Sequence, residues 1–104
     1  MQKLNHDEKT ALEKIAVQNR TNVLRLMKAG RMGHIGGALS AIDIITALYF
    51  KIMRVDPQNP GWPQRDRFVL SAGHKCLALY ATLAEKGFFD RAILDTYGSL
   101  CSKL

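Results

Sequence analysis

Two histidines, each set in a glycine-containing turn, are the residues of this chain with the clearest chemical potential. His74 lies within Arg67-Phe68-Val69-Leu70-Ser71-Ala72-Gly73-His74-Lys75-Cys76, where a short apolar run gives way to a turn and then to the start of a helix. Gly73 lets the backbone turn tightly and approach a ligand closely. A helix beginning at Lys75 offers unpaired backbone N–H groups and the positive end of its dipole beside His74. That place suits an anion, a phosphate or diphosphate above all. Lys75 would either strengthen such a site or point to solvent. His34 sits at the centre of Gly30-Arg31-Met32-Gly33-His34-Ile35-Gly36-Gly37, four glycines in eight residues. Read locally, it rides on a loop of flexible backbone and nothing more.

The elements around these turns are mostly helical. Asn5 with Glu8 three residues on resembles a capping box, so a first helix is expected to start near Asp7. Leu12, Ile15, Ala16, Val23, Leu26 and Met27 form its apolar stripe, broken by Asn19, and Gly30 is the expected stop. The glycine segment to Gly37 is expected to be a loop. Ser40 and Asp43 form a second capping pattern, and Ala41 to Phe50 is apolar nearly all round, as an enclosed helix would be. Asp56 to Pro63 carries all three prolines and reads as an ordered surface connection pinned by Trp62. Phe68-Val69-Leu70 is expected to be a strand buried on both faces. A third helix follows from Lys75 to Lys86, closed by Gly87, and a short fourth runs from the N-cap Asp90 through Tyr97 to Gly98. A buried strand needs partners, and no other stretch supplies one. The fold class is therefore α/β, the opening portion of a parallel-sheet domain, mostly helical in the part present.

Composition narrows the function. With 104 residues, 47% of them hydrophobic, the chain is one domain or a piece of one. The net charge of +6 is scattered, with no run of five like charges, so no nucleic-acid partner is expected. No secretory segment opens the chain, and the cytoplasm is the expected compartment. Ala38 to Met53 is short for a membrane span and contains Asp43 and Lys51, so no membrane partner is expected either. Cys76 and Cys101 form no disulfide framework and no C-x-x-C pair. His34, His74 and Cys76 lack the spacing of a zinc site, and His6 reads as a solvated surface residue.

Taken together, Gly33-His34-Ile35-Gly36-Gly37-Ala38-Leu39-Ser40, Asp56-Pro57-Gln58-Asn59-Pro60 and Asp66-Arg67-Phe68-Val69-Leu70-Ser71-Ala72-Gly73-His74 resemble, in order and spacing, the N-terminal part of transketolases. The match is closest to the separate N-terminal section of enzymes split into two chains, and it runs from the first helix to Leu104. Deoxyxylulose-phosphate synthases share a related glycine-histidine loop, but the run ending at His74 suits transketolase better.

The resemblance implies that residues 1–104 are an incomplete thiamine-diphosphate-binding domain. The enzyme would move a two-carbon ketol unit from a ketose phosphate to an aldose phosphate, using thiamine diphosphate and magnesium. It would work on sugar phosphates, with a C-terminal transketolase section as partner and as a homodimer. His34 matches the family's histidine that contacts sugar hydroxyls near the reacting carbon and supports proton movement. His74, with Gly73 before it, matches the histidine on the cofactor diphosphate. Ile35 stands where many members have proline, and Lys75 and Cys76 where small residues are common. The family's metal-binding Gly-Asp-Gly motif has no counterpart in this sequence, so no metal ligand is expected here. None of Glu8, Glu13 and Glu85 matches the glutamate that activates the cofactor. The chain alone is expected to be inactive, and the alternative to an enzyme part is a non-catalytic truncated remnant that at most associates with a partner chain.

Overall fold

In a computed structural model, which describes residues 3–104, the chain begins with the long helix α1, His6–Gly30. Its start follows from the expected box. The Asn5 side chain accepts from the Glu8 N–H at 2.8 Å and donates to Glu8 Oε1 at 2.7 Å. Asn5→Ala removes both bonds and is expected to lower the unfolding free energy by about 1 kcal/mol in a urea titration. An unchanged midpoint would show that the end is held by packing instead. At the other end Arg31, not a glycine, takes the left-handed conformation at φ 52° and donates to Met27 O at 2.8 Å. Gly30 is required for space. A Cβ there would overlap Cδ2 of the Tyr97 ring.

The second helix departs from expectation. α2 spans Ile35–Ala47, so Gly36 and Gly37 occupy its first turn instead of a loop. Ser40 is inside the helix, its Oγ donating to Gly37 O at 2.8 Å, and Asp43 pairs with Arg20 at 3.0 Å; neither caps anything. Two helical glycines cost about 2 kcal/mol at ~1 kcal/mol each, which the burial of Ala38, Ile42 and Ile45 on the next turns outweighs. The helix continues into a π turn, Leu48–Ile52. It is not enclosed: Ile44 is 67% and Ile52 49% exposed, so one face alone is covered. Ile35–Ile52 is long and apolar enough, by length and composition, to cross a membrane. Its inner face nevertheless packs on α1, which also holds its charged residues: Arg20 pairs with Asp43, and Glu8 with Lys51.

The core lies where α1, α2 and the third helix α3, Cys76–Lys86, meet, with Val23, Leu26, Ile42 and Leu77 wholly buried. Asn19 does not break the stripe of α1 but crosses the junction, donating to Thr46 Oγ1 at 2.8 Å. Asn22 is buried beside it and donates to Glu85 Oε1 at 3.1 Å. α3 starts one residue later than expected, after a 3₁₀ turn Gly73–Lys75. It ends as expected at Gly87, φ 102°, with Phe88 N–H returning to Leu83 O at 3.0 Å. Asp90 caps the next element, which is a 3₁₀ helix, Arg91–Thr96, accepting from Ala92 N–H at 2.9 Å.

No strand forms among the described residues. Phe68-Val69-Leu70 is irregular, with Phe68 edge-on to Tyr49 and Val69 84% exposed. The physical reason is the missing ladder: a strand exists only through hydrogen bonds to a neighbour, and nothing among the described residues lies alongside. The parallel sheet is therefore not seen, and the described part is mostly helical. The proline-rich connection is ordered as expected: Trp62 is half-buried, its N–H donating to Asn59 O at 3.1 Å and its carbonyl accepting from Arg65, and Asp66 closes the segment. Asp66 accepts from the backbone N–H of Arg54 at 2.7 Å and from its guanidinium at 3.2 Å.

Arg25 grips Asp95 in a fork, 2.7 and 2.6 Å, tying the 3₁₀ helix to α1. The hydrogen bond to Arg25 holds the Asp95 carboxyl below its ordinary value of 3.8, and the bond to Arg54 N–H does the same for Asp66. A depressed folded pKa contributes stability above the ordinary value, and that contribution is lost as pH falls through the folded one. Stability is therefore expected to drop on acidification below about pH 4. Asp95→Asn should flatten that decline in denaturant titrations run across the range. An identical slope in the variant would remove Asp95 from the account.

Candidate functional site

The two histidine turns, far apart in sequence, meet in space. His34 is the N-cap of α2 and His74 lies in the 3₁₀ turn before α3. Their rings stand edge to face, centroids 5.8 Å apart at 79°. The approach is built by glycines. Gly33 has φ 130°, and a Cβ there would lie 2.8 Å from Leu77 Cδ1 and 3.2 Å from Met27 Sδ, so the backbone before His34 is pressed onto α3 and α1. At Gly37 a Cβ would lie 3.4 Å from His74 Cδ2 and 3.5 Å from Lys75 Cγ, which is where the first turn of α2 touches the turn before α3.

Between the histidines opens a cleft of ≈ 390 Å³, floored by Leu77, Cys76 and Tyr97 and rimmed by Met32, Gly33 and Gly73. Tyr97, which the sequence marked only as the end of a short helix, closes one side. Its phenol is pushed up by burial first, with Cys76 and Tyr80 adding to the effect, so it remains a neutral hydroxyl at physiological pH. Its contact with Gly30, which the sequence marked only as the stop of the first helix, was invisible without the fold. Cys76 is a half-buried free thiol and Cys101 an exposed one.

The other predicted residues land as follows. Gly73 has no positive φ, and a Cβ there would meet nothing within 4 Å, so no contact among the described residues requires glycine. Lys75 is half-exposed, and its Nζ donates within the chain, to Gly37 O at 3.2 Å and Ser40 Oγ at 3.1 Å. The N–H groups of Lys75 and Cys76 are used within the 3₁₀ turn, by Ala72 O and Gly73 O, so α3 offers fewer free donors than expected. α2 compensates, because no side chain caps its first turn. The His74 imidazole beside an uncapped helix start forms a donor set that fits a diphosphate, with the His34 imidazole facing it. Among the described residues no group of three or more His, Cys, Asp or Glu gathers to hold a metal ion.

Comparison with known proteins bears on this arrangement. Residues 12–102 match the family model "Transketolase, thiamine diphosphate binding domain". The chain is 51% identical over 89 residues to a 6-deoxy-6-sulfo-D-fructose transketolase subunit of Clostridium sp. strain MSTE9, a match covering 81% of this chain and 32% of that one. It is 47% identical over 93 residues to an apulose-4-phosphate transketolase subunit of Phocaeicola vulgatus, covering 89% of this chain and 33% of that one. Against a transketolase of Bacillus subtilis it is 43% identical over 79 residues, covering 76% of this chain and 12% of that one. The chain thus spans about a third of the length of the two subunits it resembles.

Proposed function

The chain belongs to the transketolase thiamine-diphosphate-binding-domain family, and from that premise we propose that it is the front portion of a transketolase-type transferase. The reaction is transfer of a two-carbon ketol unit from a ketose phosphate to an aldose phosphate. The observation that carries this reading is the convergence of His34 and His74, 5.8 Å apart, beside the uncapped start of α2. Thiamine diphosphate, when bound, supplies the ring carbon that stabilises negative charge as a ketose is cleaved beside its carbonyl.

The chain's own residues do the rest. The His74 ring, with Gly73 beside it and the first-turn N–H groups of α2, holds the diphosphate oxygens by hydrogen bonds favoured by the helix dipole. His34, across the cleft, faces the sugar, where an imidazole can orient hydroxyls and take or give a proton near neutral pH. Leu77 and Tyr97 keep water from the floor. The proposal includes magnesium, for which no ligand group gathers among the described residues. The relatives named as subunits support a partner section, and the proposal includes a cytoplasmic homodimeric assembly. The second reading is a non-catalytic remnant that at most associates with a partner chain.

The test is calorimetric titration of thiamine diphosphate and magnesium into the complete protein, partner section included. His74→Ala is expected to weaken binding about tenfold, as loss of one hydrogen bond to a charged group does. Unchanged affinity in the variant removes His74 from this role. No binding by the unsubstituted protein leaves the remnant as the surviving reading.

A further inference from the structure

We propose that Lys75 is a positioning residue whose ammonium clasps the first turn of α2 to the turn before α3 and thereby fixes His74 against His34. Lys75 follows His74 directly, so whatever anchors its side chain restrains the histidine backbone as well. Its Nζ reaches Gly37 O at 3.2 Å and Ser40 Oγ at 3.1 Å, both on α2. Ser40 spends its own proton on Gly37 O, 2.8 Å away, and so presents lone pairs to the ammonium. The three groups close a triangle at the point where Gly37 lets the two turns touch. A side chain that merely sought solvent would not be found there. A cation at the beginning of a helix meets the positive end of its dipole, an unfavourable placement that a swing into water would relieve. The ammonium stays because two of its three N–H donors are satisfied by a carbonyl and a hydroxyl and the third reaches water, and the consequence is a restrained distance between the two imidazoles.

This inference rests on the transketolase reading for its functional meaning but not for its geometry, and the test separates the two. In the complete protein, the nuclear Overhauser contact between the His34 and His74 ring protons is measured without cofactor, and thiamine diphosphate affinity is measured by calorimetry. Lys75→Met is expected to abolish the ring contact and weaken cofactor binding about tenfold, since affinity falls in proportion to the population of the binding-competent arrangement. Lys75→Arg should restore part of both. Retention of the ring contact in a folded Lys75→Met protein overturns the clasp, and it does so even if affinity falls, since the residue would then act through its charge. If Lys75→Met does not fold, Ser40→Ala decides: a weakened ring contact supports the clasp and an unaltered one overturns it. If the unsubstituted protein binds no thiamine diphosphate while Lys75→Met still loses the ring contact, the clasp stands and the transketolase reading falls.

Discussion

Replacing Gly33 by alanine is expected to cost roughly 2–4 kcal/mol of unfolding free energy, from strain at positive φ together with overpacking. Two faults combine at this residue. The backbone holds φ at 130°, where an L side chain is strained, and the new methyl would sit 2.8 Å from Leu77 Cδ1, a side chain with no exposed surface. Leu77 cannot yield without disturbing the junction of the three helices, so the chain before His34 must lift instead. The damage therefore reaches the cleft as well as the core. Gly36→Ala is the control: Gly36 is helical, and a Cβ there meets nothing within 4 Å. That substitution should be neutral or stabilising by up to about 1 kcal/mol, since alanine is the better helix former. Denaturant titrations of both variants give the comparison, and equal midpoints would mean that Gly33 is not the support described.

What could be read from the sequence was decided over a few residues. The Asn5 cap, the Gly87 stop and the Asp90 cap each rest on a side chain or a φ value interacting within one turn, and all three appear in the structure. Three expectations failed because the deciding partner was distant. Gly36 and Gly37 were assigned to a loop on backbone entropy, whereas the contacts of α2 with α1 and α3 draw them into a helix. Phe68 to Leu70 had the composition of a strand, but composition supplies no ladder. Asn19 looked like a defect until Thr46 stood opposite it. The site was legible in a particular sense. The motifs resembled a known family and named both histidines, while their convergence depended on Gly33 and Gly37, whose packing partners no local pattern reveals.

The second large effect belongs to His34. In the complete protein His34→Ala is expected to lower kcat by about 100-fold or more, the range of positioned acid–base groups, while thiamine diphosphate affinity stays near that of the parent. The asymmetry follows from placement. His74 is backed by the first turn of α2 through its contact at Gly37, whereas His34 caps that helix without bonding to its N–H groups and leaves its ring exposed to the cleft. A ring so placed is free to meet a sugar and adds nothing essential to the diphosphate side. His34→Gln sharpens the assignment, because an amide can orient a hydroxyl but cannot carry a proton near neutral pH. It should recover much of the sugar KM and little of kcat. If glutamine restored both, orientation alone would account for His34, and proton movement would have to be assigned to another group. If His34→Ala left turnover unchanged, the sugar side of the cleft would lie elsewhere, and the 5.8 Å histidine pair would be a support for cofactor binding alone.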